Sequence, residues 1–195
     1  MRARLQHLIT RPSKRNQPPS KLVALDCLVV FGLRPQELQG LQLERTPGGL
    51  VAKVSRIKRS ARGATKPRTV PAVPPTAAGP SCWDLWERWQ EHGLPPSTQG
   101  PIDPGHTMTN LMAELRRADV ITAELPADLR LYGLRHAFAL RLGIELQLSV
   151  RESAELMGHS PQTHLAVYGR RLDGPRLQAK VQELVAKTMV KTAGK

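Results

Sequence analysis

A chain of 195 residues with a formal net charge of +13 and a pI near 10.7 is long enough to bury a core of its own, and its charge suits a polyanionic partner, nucleic acid ahead of a membrane surface. No stretch approaches the ~20 apolar residues that cross a bilayer: residues 22–31 are too short and hold Asp26, and the basic N-terminus lacks the apolar stretch of a secretory signal. Cys27 and Cys82 form no disulfide framework and have no His or Cys at ligand spacing, so both read as small buried apolar side chains in a reducing cytoplasm.

Residues 1–20 hold Arg2, Arg4, Arg11, Lys14 and Arg15 with no acidic residue, a composition too poor in apolar groups to order itself. They read as a flexible basic arm, either a solvated tail or a nucleic-acid contact. Residues 21–31 read as a helix with apolar positions at Leu22, Val23, Leu28 and Val29, stopped by Gly32. Pro35 opens the next helix and leaves Arg34 at its N-terminal edge, where the helix dipole disfavours a cation. An anion shared between the arginine and the helix amides resolves that conflict; an ordinary ion pair with Glu37 is the plainer account.

Alternation and turn chemistry follow. Residues 41–45 and 50–58 flank a Gly-Gly turn as a hairpin, and 67–73 form a third short strand. From Arg45 to Arg68 there are eight basic residues and no acidic one: Arg45, Lys53, Arg56, Lys58, Arg59, Arg62, Lys66 and Arg68. Such density marks a solvated or phosphate-facing surface. Residues 74–81 are a proline-rich connector, and Trp83, Trp86 and Trp89 recur at helical spacing, as core aromatics do. Residues 93–105 read as loop and 107–118 as an amphipathic helix through Met108, Leu111, Met112 and Leu115. Near the C-terminus, Leu177, Val181, Leu184 and Val185 line one face of a last helix, and 191–195 are a tail. There is no internal repeat.

Between Leu131 and Tyr168 the local signals are dense. Ser149 with Glu152 three residues on is a capping box, starting a helix near Val150 that runs through Met157. Gly158 sits where a left-handed residue ends that helix and leaves His159 in a tight turn. Ser160 and Pro161 then start another helix, which carries Tyr168 two turns on.

Arg135-His136, MGHS at 157–160 and Tyr168 nine positions after His159 are similar to the C-terminal signature of the tyrosine recombinases, the phage-integrase family. FGLRPQELQGL at 31–41 resembles that family's Gly-Leu-Arg-x-x-Glu-Leu motif, and Lys66-Pro67-Arg68-Thr69-Val70-Pro71 its Lys-x-Arg-x-Val-Pro stretch. The resemblance covers about residues 20–190. It implies an α+β, mainly helical catalytic domain over 21–190 with a small three-stranded antiparallel sheet. It also implies a DNA strand transferase that acts as a homo-tetramer on two duplex sites, with no metal or nucleotide cofactor; the sequence offers neither a metal-ligand cluster nor a phosphate-binding glycine loop.

By that resemblance Arg34 and Arg135 are the catalytic arginines, His159 a further hydrogen-bond donor and Tyr168 the nucleophile. The catalytic lysine is assigned to Lys58, with Lys53 and Lys66 as rivals. These types suit the reaction. A tyrosine attacking a phosphodiester stores the bond as a phosphotyrosine. Two permanently charged guanidiniums bind the oxygens on which charge develops, and a lysine protonates the leaving 5′ oxygen. Nearby positive charge is expected to help the Tyr168 phenol ionise. Lys53, Arg56, Arg59, Arg62, Lys66 and Arg68 are the expected DNA-backbone contacts.

Three departures from the family stand out. Tyr132 occupies the place of the usual His-x-x-Arg histidine; its phenol can hydrogen-bond a phosphate but carries no positive charge. His164 replaces a common threonine one turn before Tyr168, where it either assists the tyrosine or packs. The N-terminal clamping domain of the family is matched only by the basic arm, which fits a fragment, a minimal enzyme or a non-enzymatic DNA-binding descendant.

Overall fold

The computed structural model describes residues 19–57, 59–60, 63–75, 84–100, 103–117 and 131–168, together with 178, 179, 181–183 and 185 of a C-terminal helix. Its first element, α1 (Pro19–Phe31), is buried on nearly every side, with Val23, Ala24, Leu25, Cys27, Leu28, Val30 and Phe31 all at 2% exposure or less. Burial extends beyond the apolar positions Leu22, Val23, Leu28 and Val29 read from the sequence, as in a central helix, which needs apolar groups all round. Its single acid, Asp26, is buried in an ion pair with Arg88. Gly32 ends it at φ +59, a conformation that L side chains rarely adopt, and a Cβ there would lie 2.3 Å from the Phe138 ring.

The helix that Pro35 opens is one turn of 3₁₀ helix, Pro35–Leu38. After it come β1 (Gln42–Thr46), β2 (Gly49–Val54), β3 (Arg59–Ser60), β4 (Gly63–Ala64) and β5 (Arg68–Pro71). The sheet is antiparallel in the order β1-β2-β5, with Leu43 opposite Ala52 and Ala52 opposite Val70. Leu43, Ala52, Val54 and Val70 face the core. Strands β3 and β4 form a separate two-stranded hairpin between β2 and β5 that the sequence reading took as loop.

Helix α2 (Leu85–His92) buries Leu85 fully, while Trp86 and Trp89 pack half-buried at the core margin and Trp83 lies outside the described residues. Helix α3 (Pro104–Arg117) begins three residues before the expected start and buries Met108, Leu111 and Met112. Helix α4 (Leu131–Leu140), which the sequence reading did not assign, continues into a π-helical turn, Arg141–Glu145. Arg141 is buried there and donates to the backbone carbonyls of Val73, at 3.1 Å, and Val29. Helices α5 (Val150–Met157) and α6 (Pro161–Tyr168) follow as the capping signals require. Ser149 accepts from the Glu152 amide at 3.2 Å and Glu152 from the Ser149 amide at 2.7 Å, Gly158 takes φ +65, and Ser160 accepts from the Thr163 amide at 3.2 Å. The architecture is mainly helical with one small three-stranded antiparallel sheet, as the resemblance implies.

Candidate active site

Glu37, on the 3₁₀ turn, is the hub. Its side chain is 4% exposed and receives three guanidiniums: Arg34 at 2.8 Å, Arg68 through both terminal nitrogens at 3.0 and 3.1 Å, and Arg135 at 3.8 Å. Its carboxylate also accepts the Arg34 amide at 2.7 Å. Of the two accounts of Arg34 offered by the sequence, the ion pair with Glu37 is present in the structure. Burial alone would raise the Glu37 carboxyl, but the Arg68 hydrogen bonds and the charges of Arg68, Arg135 and Arg34 outweigh it and hold it below its ordinary value.

The same three arginines grip the end of α5. Three successive carbonyls there each accept from a different one: Leu156 from Arg68 Nε at 2.9 Å, Met157 from Arg135, and Gly158 from Arg34 at 3.4 Å. The last carbonyls of a helix lack intrahelical partners and mark the negative end of its dipole, so cations are favoured at this place. Arg135 is 1% exposed and also donates to the Gly32 carbonyl at the end of α1. One positive charge on the carboxylate is balanced and an excess of two remains, directed at the turn that carries His159.

The hydrogen-bond partners dictate how the histidines are protonated. Arg135 only donates, so His159 Nδ1, 3.3 Å from its Nη2, is an acceptor and the His159 proton sits on Nε2. That N–H points at His164 Nδ1, 3.0 Å away, which leaves the His164 proton on its own Nε2. Burial, then the charge of Arg135, push His159 down to about 3, and the same two causes lower His164. Both rings are neutral near pH 7.

Tyr168 stands among these rings. It lies 5.6 Å from His159 in a stacked arrangement, 4.9 Å from His164 and 4.8 Å from His136, and its hydroxyl is 3.5 Å from that of Tyr132. Tyr132 is 46% exposed and Tyr168 5%. The expectation that positive charge eases ionisation of Tyr168 is corrected. Arg135 acts in that direction, but burial and the hydrogen bond to Tyr132 prevail and push the phenol up to about 12. Tyr168 is therefore a neutral phenol near pH 7.

Arg34, Arg135, His159, His164, Tyr132 and Tyr168 are thus drawn together from the 3₁₀ turn, α4, the α5–α6 turn and α6. Lys53 is exposed and paired with Glu44 across the β1–β2 hairpin, Lys66 is exposed ahead of β5, and Lys58 lies outside the described residues. Of the expected backbone contacts, Arg56 is exposed with its guanidinium on Gln39, Arg59 sits on β3, and Arg62 lies outside the described residues. Arg68 faces inward. Sequence reasoning missed Glu37 as the common counter-ion, the inward turn of Arg68 and the ring of His136 beside Tyr168. A lone acid three residues after an arginine was the one available sign of the first.

Among the described residues no group of three or more His, Cys, Asp or Glu is placed to hold a metal ion, and no helix is long and apolar enough to cross a membrane.

The chain matches no protein-family model and no curated protein sequence. Among solved structures it is similar to the Tn1549 transposon integrase in complex with circular intermediate DNA, at 18% identity and a TM-score of 0.59, covering 92% of this chain and 62% of that one. It is similar to the same integrase in complex with transposon right end DNA, at 16% identity, a TM-score of 0.56 and coverage of 94% and 63%. Protelomerase TelA, covalently complexed with substrate DNA, matches at 17% identity and a TM-score of 0.55, covering 85% of this chain and 55% of that one. The chain spans between 55% and 63% of the length of these structures. The fold of this chain is that of the tyrosine-recombinase catalytic domain.

Proposed function

We propose that the chain is a site-specific DNA recombinase or integrase that cleaves and rejoins strands through a 3′-phosphotyrosine intermediate on Tyr168. The observation that supports this best is the meeting of Arg34, Arg135, His159 and Tyr168 within one chain, since a phosphodiester needs a nucleophile and a convergent positive field at the same phosphorus. In the first step the Tyr168 oxygen attacks phosphorus and the bond from phosphorus to the 5′ oxygen breaks. Arg34 and Arg135 hold the non-bridging oxygens, and His159 turns its Nε2–H from His164 to one of them. The Tyr168 proton leaves through the Tyr132 hydroxyl, which reaches solvent, and a lysine protonates the 5′ oxygen. Lys58 is assigned that task, with Lys53 and Lys66 as rivals. Rejoining is the reverse, so bond energy is conserved without a nucleotide cofactor.

The partner is double-stranded DNA, held by the basic β2–β5 segment, and the acting form is a homo-tetramer on two sites. Val181 and Val185 are each about half exposed, which leaves an apolar strip on the C-terminal helix for such an assembly. Incubation with a nicked suicide duplex tests the reading: the native chain forms a denaturation-resistant adduct, and Tyr168→Phe binds the duplex with the same affinity but forms none. An adduct that persists in Tyr168→Phe removes this nucleophile. Duplex binding by the native chain with no adduct under any condition selects the non-enzymatic DNA-binding alternative.

A further inference from the structure

Arg68 differs from its two companions in taking both Glu37 oxygens, where Arg34 and Arg135 turn terminal nitrogens to the carbonyls of Gly158, Gly32 and Met157. All three of its nitrogens are engaged by protein acceptors: Nη1 and Nη2 take the two Glu37 oxygens at 3.0 and 3.1 Å, and Nε takes the Leu156 carbonyl at 2.9 Å. Its side chain is 9% exposed. The contact with α5 is tight, since a Cβ at Gly158 would lie 2.7 Å from Nη1. Arg68 thereby ties β5 to both the 3₁₀ turn beside Arg34 and the end of α5, two residues before the glycine that leads into His159.

We propose that Arg68 is a positioning residue for the strand-transfer site. By neutralising both Glu37 oxygens and holding the Leu156 carbonyl, it fixes the α5–α6 turn so that His159 and Tyr168 face the same anion as Arg34 and Arg135. Its catalytic consequence rests on the reading above. Its geometry does not.

The test uses the full chain with Arg68→Lys and Arg68→Gln. Lysine keeps the charge but is a point donor that does not span two oxygens and a carbonyl. Adduct formation on the suicide duplex should slow by about 100-fold in Arg68→Lys, as it does when a reacting group is displaced by a fraction of its contact distance. Duplex affinity and its dependence on salt should match the native chain in both variants. Loss of a phosphate contact would instead lower the salt slope by about 0.9, and that result overturns the proposal, as does native adduct formation in Arg68→Lys. His159, followed by imidazole NMR, should titrate at higher pH in Arg68→Gln, because one of the cations around it is gone; an unchanged titration also overturns the proposal. Should Arg68→Gln not fold, Arg68→Met, close in volume and leaving Glu37 on Arg34 and Arg135, takes its place in the salt series and the titration. If the native chain forms no adduct, the functional reading fails, and the salt slope and the His159 titration still decide the role of Arg68.

Discussion

Glu37 and His159 make the site sensitive to acid in the same direction. The Glu37 carboxyl lies below its ordinary 4.5 in the folded chain, so its stabilisation is present above that value and is lost as pH falls through the lower folded one. His159 drops from 6.5 to about 3 on folding, so the unfolded chain takes up a proton that the folded chain refuses. Its contribution is complete above pH 6.5 and erodes as pH falls toward 3. The expected outcome is a thermal midpoint that declines steadily below about pH 6.5. Substituting His159 by Asn should shrink the upper part of that decline, leaving the share of His164, and keep the part below the ordinary carboxyl range. Equal pH profiles for the two proteins would contradict the neutral assignment of His159. These two residues also show what the sequence could and could not convey. Arg34, Arg135, His159 and Tyr168 stand in a recognisable order. That one carboxylate gathers three arginines is a property of packing across segments more than a hundred positions apart in places, as between Arg34 and Gly158.

Helix ends and turns were the best-marked elements, because their causes are local. Ser149, Glu152, Gly158, Ser160 and Pro161 each act within a few positions and place α5 and α6 correctly. Helix α4 passes into a π turn at its end and escaped the sequence reading, although Arg135 rides on it. Likewise, β3 and β4 are two residues each, too short for alternation to register. The junction of α1 with α4 is the sharpest packing constraint. Gly32→Ala requires a side chain in the left-handed region and 2.3 Å from Phe138. It should destabilise the chain by roughly 3 kcal/mol, the sum of the backbone and overpacking costs, and lower the urea midpoint without changing the slope. A stability within a few tenths of the native value would show that α4 moves aside freely.

Taken whole, the molecule sets its positive charge in two tiers. Arg34, Arg68 and Arg135 are turned inward on Glu37, while Lys53, Arg56 and Lys66 are exposed on or beside the β2–β5 side of the sheet. On the proposed function the outer tier governs duplex affinity. If about 6 phosphate contacts form, the duplex dissociation constant should rise about 10³-fold between roughly 50 mM and 200 mM salt. A fluorescence-anisotropy titration that stays flat over that range would remove electrostatics as the source of binding. One further feature bears on how such a scaffold persists. Arg141 secures α1 and the segment after β5 through the carbonyls of Val29 and Val73, groups that every amino acid possesses. Mutation can therefore rewrite the side chains at both anchor points without cutting the tether, and an architecture moored in this way outlasts the erosion of its sequence.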